Sequence, residues 1–122
     1  VKRNHRDLVV WQKSIELVAG VYSLSSDFPK SEQFGLTSQL RRAAISVPAN
    51  IAEGAARKSS KEYLHFLSIA SGSLSELDTL VTLCQRLKYA EDVAKLQTSI
   101  DEIAGLVMGL SAAIKRKVAS QL

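Results

Sequence analysis

Apolar residues recur at intervals of three and four through four stretches of this chain, separated by polar connections, and that spacing predicts four helices. In the first, over about 7–26, Leu8, Trp11, Ile15, Val18 and Tyr22 share a face behind Asp7, which is placed to cap the helix. Phe28 and Pro29 open a polar loop through Ser31 and Glu32, and a second helix is expected over about 35–57, with Leu40, Ala44, Val47 and Ile51 on one side. Ser59 and Glu62 have the spacing of a capping box, so a third helix begins at about Ser60 and runs to about 88. Along it Leu67, Ala70, Leu74, Leu77, Val81 and Cys84 alternate three and four without a slip, and Arg86 and Lys88 close it with cations. A tight turn near Tyr89 leads through Glu91 and Asp92 into a fourth helix over about 91–119. Its seam is Val93, Leu96, Ile100, Ile103, Val107, Leu110 and Ile114. Helices three and four would each be about 40 Å long. Short connections make neighbours antiparallel, so the expected fold is all-α, an up-and-down antiparallel four-helix bundle forming one domain over 1–122.

One position breaks the helical rules. Pro48 lies inside the second helix, where a proline removes a backbone donor and presses on the carbonyl four residues back, at roughly 3 kcal/mol. Small neighbours (Ala43, Ala44, Ser46, Ala49, Ala52) surround the expected bend and let another helix pack close to it. The carbonyl of Ala44 loses its donor, and Asn50 or Ser46 is placed to help satisfy the region.

The first and third helices carry more face than one core needs. Val10, Leu17, Val21 and Leu24 form a second apolar stripe on helix one. Opposite the seam of helix three stand Ser68, Gly72, Ser75, Thr79 and Thr82, where a solvated helix back usually carries Glu, Lys or Gln. One reading is an exposed serine-rich face of weak helix propensity; the other, which accounts for both helices, is a subunit interface between copies of the chain.

Composition narrows the class. A chain of 122 residues with 46% hydrophobic residues, two prolines and six glycines has the balance of a globular domain and not of a disordered one. Three Phe, three Tyr and one Trp leave the core to aliphatic side chains. The single cysteine, Cys84, excludes an internal disulfide, fits a reducing compartment, and by its seam position reads as a small buried hydrophobe. Apolar runs are only a few residues long, as at 8–11, so neither a membrane span nor a signal-peptide core is expected, and the cytoplasm is the expected location.

The strings DLVVWQKSIEL, FGLTSQLRRAAISVPANIAEG and YLHFLSIASGSLSEL resemble the four-helix bundle family of 23S ribosomal RNA intervening-sequence proteins. The likeness is strong over about 7–87 and rests on pattern alone in helix four. It implies an up-and-down bundle assembled as a homopentameric barrel, without enzymatic activity or cofactor, from a bacterial source. A related branch, the accessory variability determinant of diversity-generating retroelements, forms a basic pentamer that binds nucleic acid and a reverse transcriptase. Two departures stand out: Lys88 occupies the place of the family's glycine at the end of helix three, and Ala55 and Ala56 are blander than the family pattern.

Enzymatic chemistry finds little support in the residues. Glu62-Tyr63-Leu64-His65 is half of a di-iron carboxylate motif on a bundle helix, but no second copy exists and the other histidine, His5, precedes helix one. No nucleophile triad and no glycine-rich phosphate loop can be assembled. Glu53 is spaced to pair with Arg57, a structural role.

Charge is more informative. The net charge is only +4, yet the up-and-down topology brings the start of helix one, the end of helix two, the start of helix three and the end of helix four to one pole. That pole collects Lys2, Arg3, Arg6, Arg57, Lys58, Lys61, Lys115, Arg116 and Lys117, against Asp7 and Glu62. The opposite pole sets Lys30, Arg86 and Lys88 against Asp27, Glu32, Glu91 and Asp92. Arg57, Lys58 and the 115–117 cluster complement helix C-termini, but Arg6 and Lys61 oppose the dipole at helix starts, which points to an anionic partner. RNA or DNA held by phosphate contact fits such a surface, and the absence of a stacking platform argues against sequence-specific reading of single strands. Arg41 and Arg42, mid-helix, are candidates for an interface or pore. The alternative is a protein-interaction scaffold or accessory subunit for a protein partner such as a reverse transcriptase.

Overall fold

The computed structural model describes residues 4–121 and contains, among them, four α-helices, two 3-10 turns and no strand. A 3-10 turn at Asn4–Asp7 leads into α1 (Val9–Ser25), and a second at Lys30–Glu32 precedes α2 (Leu36–Ala55). The long helices α3 (Ser60–Arg86) and α4 (Ala94–Ser120) complete the bundle. Each helix packs on two neighbours, α1 on α2, α2 on α3, α3 on α4 and α4 back on α1, with the α2–α3 contact the most extensive.

The predicted seams of three helices form the core. Leu40, Ala44, Val47 and Ile51 of α2 are fully buried, as are Leu67, Ala70, Leu77, Val81 and Cys84 of α3, with Leu74 nearly so. From α4 come Ile100, Ile103 and Val107, with Val93 just ahead of the helix, while Leu96, Leu110 and Ile114 lie half-buried against them.

Helix α1 is turned relative to the sequence expectation. Val10, Leu17 and Val21 are core residues and cannot form an interface between copies, whereas Ile15 and Tyr22, expected inside, are each 40% exposed. The buried stripe includes two serines, Ser14 and Ser25, whose hydroxyls donate to the carbonyls of Trp11 (2.7 Å) and Val21 (2.8 Å). A serine that bonds the preceding turn enters a core at little cost and leaves room for a close neighbour. The bulkier stripe then flanks the core, with Trp11 and Val18 half-buried against it, and Leu24, the fourth expected interface residue, half-buried toward α4.

Helix ends refine the expected bounds. Asp7 does not cap α1: it belongs to the 3-10 turn, and the extended Leu8 takes the cap position without a side-chain bond. Ser59 caps α3 as expected, its Oγ accepting from the Glu62 N–H at 3.0 Å. Helix α4 starts at Ala94, three residues later than predicted, because Val93 is non-helical while the Asp92 carboxylate accepts from the Ala94 N–H at 3.0 Å.

Helix α2 runs unbroken through the buried Pro48. The Asn50 amide donates to the carbonyl (2.8 Å) and hydroxyl (2.9 Å) of Ser46, not to Ala44 as anticipated, and the Ser46 hydroxyl is bonded to that of Ser73 at 2.7 Å. The roughly 3 kcal/mol cost of an interior proline is outweighed by burying Leu40, Val47 and Ile51, at about 1.5–3 kcal/mol each.

The pole opposite the cations is closed by one carboxylate. Glu32 accepts from the Leu36 N–H (3.3 Å) at the start of α2 and from the Tyr89 hydroxyl (3.1 Å) in the α3–α4 turn, and Tyr89 also packs on Phe28. That turn is a Schellman motif: Tyr89 N–H bonds the Cys84 carbonyl, Lys88 N–H bonds that of Gln85, and Lys88 holds φ at 65°. The position favours glycine, the residue that the resemblance leads one to expect there.

Two outcomes follow for stability. Lys88→Gly relieves the left-handed strain and should raise the unfolding free energy by about 0.5–1 kcal/mol in urea melts. The hydrogen bond to Glu32, burial and the carboxylate's charge all raise the Tyr89 pKa above the ordinary 10.0. A phenol with a raised folded pKa contributes stability below its unfolded value and loses it as pH climbs through the folded one. Tyr89→Phe should therefore lower stability at neutral pH and flatten its decline above pH 10, as read from melts across that range.

A cationic pole as candidate functional site

The end of α2, the start of α3, the end of α4 and the Asn4–Asp7 turn meet at one end of the bundle, each for a local reason. Gly54 lets the last turn of α2 lie against α3: a Cβ there would meet the Phe66 Cβ and the Tyr63 ring at 3.0 Å. Only 56–59 separate α2 from α3, so Arg57, Lys58 and Lys61 fall on one corner. Helix α4 runs antiparallel to α3, and Lys115 lines a groove with Leu64, Ser68 and Ser71. At α1, Gln12 donates to the Arg6 carbonyl at 2.8 Å and His5 lies edge-on to Trp11, which holds the Asn4–Asp7 turn against the helix.

Seven of the expected pole cations fall within the described residues: Arg6, Arg57, Lys58, Lys61, Lys115, Arg116 and Lys117, all exposed. Lys2 and Arg3 lie outside them. Two arginines are held by aromatic rings. The Arg6 guanidinium sits 5.7 Å from the Trp11 ring, and that of Arg57 sits 5.0 Å from Phe66 while pairing with Glu53 as the four-residue spacing predicts. Such stacking fixes a cation's position without neutralising it. The Arg57 pair is exposed and worth little in stability, and it leaves Lys58, Lys61 and the α4 cluster outside the ion pairs found among the described residues.

The α2 and α4 C-termini present free carbonyls with partial negative charge, which Arg57, Lys58 and the 115–117 cluster complement. Lys61 sits in the first turn of α3, where the dipole is unfavourable to it, with only Glu62 of that turn to offset it.

Other expected residues separate from this pole. Ser68, Gly72, Ser75 and Thr79 are exposed along the outer face of α3. The hydroxyls of Thr79 and Thr82 donate to the carbonyls of Ser75 (3.0 Å) and Asp78 (2.9 Å). Arg41 donates from Nε to Ser25 Oγ (2.9 Å) and lies 4.4 Å from the Tyr22 ring; Arg42 lines a cleft with Gln39, Ser46, Ser73 and Glu76. His65 is exposed and edge-on to Phe66, and among the described residues no three His, Cys, Asp or Glu side chains gather as a metal site. Burial raises the pKa of the enclosed Cys84 thiol. No described helix is long and apolar enough to cross a membrane.

The aromatic partners of Arg6 and Arg57 were not read from the sequence. Trp11 follows Arg6 by five residues and Phe66 follows Arg57 by nine, neither a same-face helical spacing. The Asn4–Asp7 turn sets Arg6 on Trp11, and the α2–α3 connection sets Arg57 on Phe66.

An antiparallel four-helix bundle with its cations gathered at one end is the class of protein that this geometry defines. The chain belongs to the family of 23S rRNA-intervening sequence proteins, whose model matches residues 6–109. Its fold is similar to the crystal structure of a protein with unknown function from the S23 ribosomal protein family of Bacteroides thetaiotaomicron, at 24% identity and a TM-score of 0.75. That likeness covers 84% of this chain and 98% of the other. No curated protein matches the chain. Lys115, Arg116 and Lys117 stand beyond the residues that the family model matches.

The close approach at Gly54 is testable. Gly54→Ala forces a methyl against the Phe66 Cβ and should cost about 1–2 kcal/mol in denaturant melts, whereas Gly105→Ala, where a Cβ meets nothing within 4 Å, should not destabilise.

Proposed function

We propose that this chain is a non-enzymatic, homo-oligomeric bundle protein of the bacterial cytoplasm that binds RNA or DNA through phosphate contacts at its cationic pole. The observation that carries the reading is the gathering of Arg6, Arg57, Lys58, Lys61, Lys115, Arg116 and Lys117, all exposed, at one end of a chain whose net charge is only +4. A pentamer, as the resemblance implies, would multiply that end five-fold and present it as one face. Phosphate contact releases counterions, so affinity should fall steeply with salt. The stacked Arg6 and Arg57 supply fixed positions, and the lysines supply adaptable ones. Buried, unpaired Cys84 suits a reducing compartment. A second reading, docking of a protein partner, draws support from Phe34, 90% exposed at the other pole.

Filter binding or anisotropy with a structured RNA and with a DNA duplex, across a salt series, tests the proposal. Binding should appear at low salt. Replacing Lys115, Arg116 and Lys117 by Gln should weaken it and reduce the salt slope by about 2–3 for each engaged protomer. No binding at low salt, or an unchanged slope in the triple variant, refutes the phosphate reading. Binding of the RNA alone would assign the ligand as RNA.

A further inference from the structure

Two sets of charge lack partners at one level of the bundle, on different faces. Arg41 is half-buried at the α1–α2 face, fixed by Ser25 and stacked on Tyr22, and the ion pairs found among the described residues, Lys13–Glu102 and Arg57–Glu53, do not include it. Around it Ile15 and Tyr22 are 40% exposed and Ile45 is 43% exposed, an apolar ridge. On the α3–α4 side an open groove of about 500 Å³ is lined by Ser71 and Met108. Asp78 and Asp101 lie one heptad from those two residues, in opposite chain directions on antiparallel helices, so both exposed carboxylates stand at one level of the same α3–α4 face, beyond the end of that groove. Neither belongs to an ion pair among the described residues.

The register between α2 and α3 is fixed by the Ser46–Ser73 hydrogen bond. Five residues back along α2 is Arg41, and five forward along α3 is Asp78, so the cation and the carboxylates share a height. By the same counting Ile45 is level with Gly105, where a Cβ would meet nothing within 4 Å. Ridge and α3–α4 face are complementary in charge, and Gly105 leaves room for an apolar side chain.

We infer that the α1–α2 ridge of one copy docks against the α3–α4 face of a second copy, with Arg41 paired to Asp78 and Asp101 and Ile45 seated over Gly105. The inference rests on the homo-oligomeric part of the function proposed above and not on nucleic-acid binding. The contact joins two different faces, so each copy offers both halves and the arrangement repeats from copy to copy. Because the matching features share a height, successive copies stand parallel, with their cationic poles on one side.

Sedimentation velocity on charge-reversed variants tests the contact, with far-UV circular dichroism confirming the fold. Arg41→Glu alone, and Asp78→Lys with Asp101→Lys, should each convert the oligomer to monomer. All three substitutions in one chain should restore it, because every copy then carries the reversed pair. An oligomer that survives both reversals overturns the contact but leaves the homo-oligomeric reading standing; a wild-type monomer overturns both. A folded triple variant that stays monomeric also overturns the contact. Where a reversal prevents folding, Arg41→Gln and Asp78→Asn with Asp101→Asn replace it, and each should raise the dissociation constant at least ~10-fold; an unchanged constant overturns the contact.

Discussion

Everything in this bundle is registered against the close contact between α2 and α3. The contact works because α2 is built from small residues where it meets α3: Ala43, Ser46 and Gly54 face Ser73, Phe66 and Tyr63. Close backbone approach maximises dispersion along the seam and leaves no tolerance for an added methyl at Gly54. Pro48 is compatible with a helix here because packing, rather than the local hydrogen-bond ladder, holds α2 in place, with Leu40, Val47 and Ile51 wholly enclosed. The Ser46–Ser73–Asn50 network then converts a sliding apolar contact into a fixed register, since its hydroxyl and amide groups satisfy one another at one offset.

That register determines what happens at the two ends. At one, Glu32 links the start of α2 to the α3–α4 turn through Leu36 and Tyr89, a compact closure between neutral and acidic groups. At the other, the brief α2–α3 connection brings two helix ends together, and the cations supplied to satisfy the α2 terminus stand beside Lys61 on the next helix. The polarity of the molecule therefore follows from topology. In an antiparallel bundle, cations just past the end of α2 and in the last turns of α4 concentrate positive charge at one end whatever the net charge of the chain.

Much of this was legible because the long helices announce themselves. The α3 seam and the central part of the α4 seam become core as their spacing predicts, and the pole cations within the described residues sit where an alternating topology must put them. Helix α1 was misread because hydropathy counts serine as polar: Ser14 and Ser25 interrupt the true core stripe, while Ile15 and Tyr22 complete a false one. The local hydroxyl-to-carbonyl bonds that make those serines apolar in effect are invisible to a pattern of residue types. Lys88 shows the converse: the sequence marks it as an exception, and only the backbone, at φ 65°, explains what glycine would have done there. The rings beneath Arg6 and Arg57 were beyond reach, because side-chain stacking between elements has no sequence period.

The proposed assembly and the proposed anion binding would act on the same charges with opposite sign. Parallel copies would bring their cationic poles together, and like charges at that end oppose association within a Debye length of about 8 Å at physiological salt. A phosphate backbone laid across several poles neutralises the repulsion and, in doing so, favours the assembled state; by linkage the assembled state binds that backbone more tightly by the same factor. Arg41 is the useful contrast. It stands toward the opposite end, at Ser25 and Tyr22 in the last turn of α1, well removed from the pole, so the proposed attraction to Asp78 and Asp101 would add no cation to the crowded end. The same separation would let the proposed interface be altered at Arg41 while the pole cations stay in place, so a change in anion binding in that variant would report the linkage and not a lost phosphate contact.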